Sequence, residues 1–249
     1  AQDELRALNR ELEQRVSERT QALTAAMKEL ESFSYAVSHD LKAPLRGIDG
    51  YSRILLEDYG DRLDGQAQRF LGNIRNGAAQ MHALIEDLLA YSRMERRTLE
   101  ASRVDLGELM RSVLTRRADE IAAASAQIVG EVPSLVVRAD RQGLDLVLRN
   151  LIDNALKFSR DAKPPIITLS ARDEGERIVL SIRDNGIGFD MKYHERIFEI
   201  FQRLHRSDEF AGTGVGLALV RKAMQRMGGR VWAESAPGEG ACFNLEFPA

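Results

Sequence analysis

The chain has 249 residues, 44% hydrophobic and 29% charged, which is enough apolar material for one large core or two ordinary ones. Its 35 basic and 38 acidic side chains leave a formal charge of −3, so the basic excess expected of a nucleic-acid binder is missing. A single cysteine, Cys242, excludes an internal disulfide and a cysteine metal cluster, and no apolar run approaches the roughly 18 residues of a membrane span. A reducing, cytoplasmic setting is therefore expected. The chain opens inside a charged helical pattern without Met or signal peptide, so it reads as part of something longer.

The first element predicted is a long helix. Leu5, Leu12, Val16, Leu23, Leu30 and Val37 recur at alternating spacings of four and three, with Asn9 and Arg19 as polar interruptions. This is the narrow stripe of a coiled coil, which needs a partner helix to cover it. The stripe continues through Leu41, Leu45, Ile48 and Leu55 and stops near Gly60. A second helix is predicted from Gln66 to Arg97, with Leu71, Ile74, Ala78, Met81, Ile85 and Leu88 in its seam. One such hairpin has too little core to stand alone. Two hairpins pairing as a four-helix bundle would bury both seams, so a homodimer is expected.

From about Thr98 the pattern changes. A short strand at Val104–Leu106 runs into a helix to Arg117, followed by strands at Gln127–Glu131 and Leu135–Arg138. A helix is predicted from Asp140, as N-cap, to about Ser159. Strands follow at Ile166–Ala171 and Arg177–Arg183, then a loop-rich stretch with a short helix near Glu195–Phe201. Gly214–Met227 reads as a helix, and Arg230–Ser235 and Ala241–Phe247 as a last strand pair. Strands and helices mix without a regular βαβ repeat, which predicts a two-layer α/β sandwich.

Four clusters in this second half carry chemistry. Asn150, Asn154 and Lys157 lie at i, i+4 and i+7 of one helix, so they share a face, with Phe158 adjoining. Amide oxygens suit a hard Mg²⁺, and a lysine one turn on suits phosphate, although a solvated polar face reads the same way. Asp184-Asn185-Gly186-Ile187-Gly188 ends a strand. It reads either as a hairpin turn or as a carboxylate placed to recognise an exocyclic amine, and the residues after it do not alternate as a returning strand. Ile197-Phe-Glu-Ile-Phe201-Gln-Arg203 is a hydrophobic patch within a polar loop, either a lid or a core-facing turn. Gly212-Thr-Gly214-Val-Gly216 enters a helix whose start favours anions, and its spacing fits neither the dinucleotide fingerprint nor a P-loop.

Together, in this order and spacing, the clusters resemble the N, G1, F and G2 boxes of the GHKL (Bergerat) ATP-binding fold, shared by histidine kinases, Hsp90, type II topoisomerases and MutL. The likeness covers roughly residues 105–249. In the helical half, Phe33-Ser-Tyr-Ala-Val-Ser38-His39-Asp40-Leu-Lys-Ala43-Pro44-Leu45 resembles the H box of sensor histidine kinases, closest to those behind phytochrome or PAS sensors. From the residues alone, Asp40 can orient the imidazole of His39, leaving the other ring nitrogen as nucleophile, and Pro44 should bend or loosen the helix.

The resemblance implies a transmitter module of multidomain α and α+β class: a helical hairpin forming a dimeric four-helix bundle, then a two-layer α/β sandwich. Residues 1–30 would be a signalling coiled coil, 31–98 the dimerisation and phosphotransfer domain, 99–104 a linker and 105–249 the catalytic domain. It implies transfer of a phosphoryl group from ATP to His39, then to an aspartate of a response-regulator receiver domain. Asn154 would hold Mg²⁺ with Asn150 beside it, Lys157 would neutralise phosphate and Phe158 would line the adenine pocket. Asp184 would read the adenine amine, with Gly186 and Gly188 giving room. Gly212, Gly214, Gly216 and Arg203 would contact phosphates. Ala43 stands where many family members with phosphatase activity carry Thr or Asn, so that activity is expected to be weak. The competing readings are an ATP-driven conformational clamp, which needs a water-activating Glu where this chain has Asn150, and a non-catalytic dimeric relay. An upstream sensor is expected outside this chain.

Overall fold

The computed structural model describes the backbone of residues 2–96, 98–204, 210 and 212–248; within these, the side chains of 2–10, 22–24, 26–35, 38–39 and 95–96 are not described. The chain divides into two compact units, Ala1–Ser92 and Arg93–Ala249.

The first unit is a helical hairpin. Helix α1 spans Gln2–Tyr59, and α2 spans Gly65–Arg96. A 3₁₀ turn at Gly60–Arg62 joins them, and Asp64 caps the start of α2 by accepting from the Ala67 N–H at 2.7 Å. Gln68 donates back to the Gly60 carbonyl at 2.9 Å, which fixes the turn. Helix α1 runs unbroken across Pro44, where loosening was expected. The apolar seam divides in two. Leu45, Ala78, Ile85 and Leu89 form the buried cluster inside the hairpin. Leu41, Ile48, Leu55, Ile74 and Met81 each remain more than 40% exposed. Two helices can cover only one side of so wide a stripe.

The second unit is a mixed α/β layer structure. Strand β1 (Ala101–Asp105) leads into α3 (Leu106–Arg116), followed by a short α4 (Ala118–Ala123). Strands β2 (Gln127–Val129) and β3 (Val136–Asp140) precede α5 (Arg141–Ser159). Then come β4 (Ile166–Asp173), β5 (Arg177–Asp184), α6 (Gly216–Arg226), β6 (Arg230–Ser235) and β7 (Ala241–Pro248). The main sheet has the order β2-β4-β5-β7-β6, antiparallel except for the parallel β2–β4 pair, while β1 and β3 pair separately.

Two aspartates set the helix starts. Asp105 accepts from the Glu108 N–H at 2.8 Å, and Asp140 from the Gly143 N–H at 2.6 Å. Helix α6 ends where Gly228 turns at φ +75° and the Gly229 N–H returns to the Met224 carbonyl. Alternation in β5 sends Ile178, Leu180 and Ile182 to one face, where they join Leu148, Leu151 and Ile152 of α5 in the core. Helix α5 packs on β5 and also touches α3 and α6, so its remaining face stands at the edge of the layer. That face carries the candidate site.

Candidate active site

The strand-end carboxylate is deeply held. Asp184 closes the central strand β5 and is 4% exposed. It accepts from the Gly186 N–H at 2.9 Å and from the Ala241 N–H at 3.4 Å. Burial pushes its carboxyl above the usual range, and these two backbone bonds pull partly the other way. No returning strand follows Asp184, so the hairpin reading of Asp-Asn-Gly does not apply. Instead Asn185 ties down the start of β4, accepting from the Ile166 N–H at 2.8 Å and donating to the Pro164 carbonyl at 2.9 Å.

Close backbone packing forms the wall around this carboxylate. The Ile187 N–H donates to the Phe158 carbonyl at 3.2 Å, joining the loop to the end of α5. A Cβ on Gly186 would stand 2.3 Å from that same carbonyl, and one on Gly188 would stand 2.0 Å from the Ala236 carbonyl. Gly240, in the β6–β7 turn, sits at φ +78° with room for no side chain, since a Cβ would lie 2.0 Å from the Asp184 carbonyl. Gly240→Ala is therefore expected to cost about 2–4 kcal/mol, the sum of a left-handed penalty and a clash with fixed backbone. Thermal unfolding of the whole chain measures it. An unchanged transition would contradict the packing.

The polar face of α5 lies beside this wall. Asn150, Asn154 and Lys157 are each half-buried. The Asn150 amide donates to the Leu146 carbonyl at 2.9 Å, and its oxygen would meet a Cβ on Gly216 at 2.7 Å, so it lies against the start of α6. Asn154 has no hydrogen-bond partner among the described residues. Burial, then the Arg203 charge, lower the Lys157 pKa to about 8. Its ammonium lies 4.1 Å from the Phe158 ring centroid, and a Cβ on Gly212 would come within 3.1 Å of it.

The F-box patch divides. Ile197 and Phe198 are buried, and Phe198 meets Phe243 edge-on at 6.4 Å between centroids. A 3₁₀ turn at Arg196–Phe198 stands where a short helix near Glu195–Phe201 was expected, and another precedes it at Met191–Tyr193. Phe201 is 56% exposed at φ +65°, with its N–H on the Gly214 carbonyl at 3.0 Å. Gly214 turns at φ +75° against the Phe201 and Gln202 backbone. Arg203 donates to the Phe210 carbonyl at 2.6 Å. Phe210 is a site neighbour that the sequence reading missed. It is 7% exposed, its ring lies 5.2 Å from Phe158, and the Arg160 guanidinium stands 4.3 Å over it.

The structure thus brings Lys157, Phe158, Asp184, Gly186, Arg203 and Gly212 together at the end of α5, with Gly188 and Gly214 in the adjoining loops, Asn150 against Gly216 at the middle of the helix and Asn154 on the same helix face. The arrangement offers a buried acceptor at the end of β5 and, on α5 and the loops beside it, two cations and glycine backbone. His39 and Asp40 belong to the other unit. Both lie in α1, where Asp40 is exposed and the His39 side chain is outside the described residues.

Residues 139–249 match the family model of histidine kinase-, DNA gyrase B- and HSP90-like ATPases. Residues 29–97 match that of the His Kinase A phospho-acceptor domain. Together these account for well over half of the chain. The chain belongs to the transmitter modules of sensor histidine kinases. It is 38% identical over 221 residues to the phytochrome-like protein Cph1 of Synechocystis, a match that covers 88% of this chain and 29% of Cph1. It is 39% identical over 220 residues to cyanobacterial phytochrome A of Nostoc, covering 88% of this chain and 28% of that protein. The chain thus spans less than a third of either relative. The crystal structure of full-length ShkA in complex with AMPPNP is similar, with a TM-score of 0.65 and 28% identity over 87% of this chain and 45% of ShkA. Among the described residues of this transmitter, no helix is long and apolar enough to cross a membrane.

Proposed function

We propose that this transmitter module binds ATP at the α5–β5 edge and transfers its terminal phosphoryl group to His39. The observation that carries the proposal is the make-up of the site. A buried carboxylate closes β5 beside the end of α5, and Lys157, with no carboxylate partner among the described residues, stands on α5 next to the Phe158 that adjoins that loop. ShkA, similar in fold and sequence, was crystallised with an ATP analogue, which supports the same ligand here.

Each residue then has a task. Asp184 accepts a hydrogen bond from the adenine amine, and Phe158 offers its ring to the base. Lys157 and Arg203 meet phosphate oxygens, and Gly212, Gly214 and Gly216 let backbone N–H groups approach them. The unpartnered amide oxygen of Asn154 fits Mg²⁺, an oxygen-seeking ion that keeps most of its ligands from water and phosphate. Asn150 adjoins it. The ion would neutralise charge developing on the phosphates. At position 150 an amide stands where the clamp-type ATPases have a glutamate, so no carboxylate there activates water, and His39 is the nucleophile. Catalysis is then positioning and charge stabilisation. Asp40 orients the acceptor ring, and the product passes to an aspartate of a response-regulator receiver domain.

We assign residues 31–98 to dimerisation and phosphotransfer, 105–249 to catalysis in a Bergerat-type fold, 1–30 to a signalling coiled coil and 99–104 to the linker. The exposed seam residues Ile48, Leu55, Ile74 and Met81 would close a four-helix bundle with a second copy. Sedimentation should show a dimer at micromolar concentration, and a monomer would contradict the bundle.

Incubation with γ-labelled ATP tests the proposal: label should accumulate with Mg²⁺ and not with EDTA. Lys157 adds a pH signature. Bound phosphate favours its protonated form, so binding takes up a proton once the pH exceeds the free-state value of about 8. ATP affinity should fall by about tenfold between about pH 7.5 and 9.5. Lys157→Met should flatten that profile, and an unchanged slope in the variant would contradict the assignment.

A further inference from the structure

Within the hairpin, one ion pair bridges the two helices close to the acceptor. The Lys42 ammonium of α1 lies 2.5 Å from Glu86 Oε1 of α2, with the two side chains 23% and 44% exposed. His82 Nε2, one turn back on α2, stands 3.9 Å from the same oxygen. Lys42 follows His39 by three positions, and residues so spaced on a helix are neighbours. It is also the only basic residue within four positions of His39 on either side, while Asp40 adds a negative charge. Half-exposed ion pairs contribute little to stability, so holding the helices together does not by itself explain a cation kept at this place.

We propose that Lys42 is the phosphoryl-binding cation of the acceptor helix, held ready by Glu86, in the reaction assigned above. The inference rests on His39 as acceptor. In the transfer, the imidazole lone pair forms the N–P bond, the P–O bond to the leaving ADP breaks with its electron pair, and the ring proton stays on the other nitrogen. The acceptor thereby gains roughly two negative charges beside Asp40. Lys42 turns from Glu86 towards the phosphoryl oxygens and offsets that charge, and Glu86 is released. The pair exchange thus couples phosphorylation to the strength of an α1–α2 link.

Charge swapping tests this in the whole chain. Lys42→Glu should lower the labelling rate at saturating ATP by about tenfold and shorten the lifetime of the label after ATP removal. Lys42→Arg should largely preserve both. The double variant Lys42→Glu/Glu86→Lys restores an opposite-charge pair, so it should recover the melting temperature while labelling stays severalfold below the parent chain. Recovery of melting and labelling together would make the pair structural and overturn the proposal, as would a Lys42→Glu chain that labels at the parent rate. A parent chain that takes no label would instead defeat the kinase reading itself.

Discussion

Exchanging His39 for Gln is expected to lower phosphate incorporation by at least about a hundredfold, because the reaction loses its nucleophile. Glutamine keeps comparable bulk and polarity, so the helical hairpin should persist. The side chain of Asp40, next along α1, is acceptor-only when ionised, and an acyl phosphate formed there would have the opposite acid and base stability. Position 150 offers an amide and so gives no alternative route through activated water. ATP affinity, measured by equilibrium titration, should stay within about threefold of the parent because no residue assigned to the nucleotide lies in the hairpin. Label retained above about a tenth of the parent level would show that phosphate is going elsewhere.

The second large effect concerns recognition of the base. Asp184→Asn keeps the shape of the strand end but replaces one acceptor oxygen by a donor. The native carboxylate is buried, with backbone N–H groups of Gly186 and Ala241 on it. Hydrogen bonds to charged groups contribute about 1.5–3 kcal/mol, so ATP affinity should fall by about thirtyfold. Specificity provides the sharper readout. The parent chain should prefer ATP over inosine triphosphate, which lacks the exocyclic amine, and the variant should lose most of that preference. Equal weakening toward both nucleotides with an intact melting transition would place the amine elsewhere.

Much of the second unit is legible from sequence because its signals are local. Asp105 and Asp140 announce helix starts through their own capping bonds, and the alternation of Ile178, Leu180 and Ile182 announces a strand with one buried face. Helix α4 goes unread because six residues from Ala118 carry no buried side chain and therefore no periodic stripe. Asp184 is legible as a strand-end carboxylate beside glycines. Its contact with Ala241 is not, because that link joins residues 57 apart in sequence. Phe210 is invisible for the same reason: its partners Phe158, Arg160 and Arg203 meet it only once α5 and the loop are folded. The seam of the hairpin shows another limit. A heptad stripe reports that a face is apolar, not which helix covers it, so the separation of Leu45 and Ile85 from Ile48 and Met81 appears only in three dimensions.

The account stands on phosphate moving from a nucleotide held at α5 and β5 to one imidazole on α1. The most direct measurement is to locate the label after incubation with γ-labelled ATP and Mg²⁺, by digesting the chain under mildly basic conditions and sequencing the labelled peptide. The expected result is a single phosphoramidate on the peptide containing Ser38-His39-Asp40, stable to base and lost in acid. An acid-stable label, or one carried by any other peptide, would contradict it.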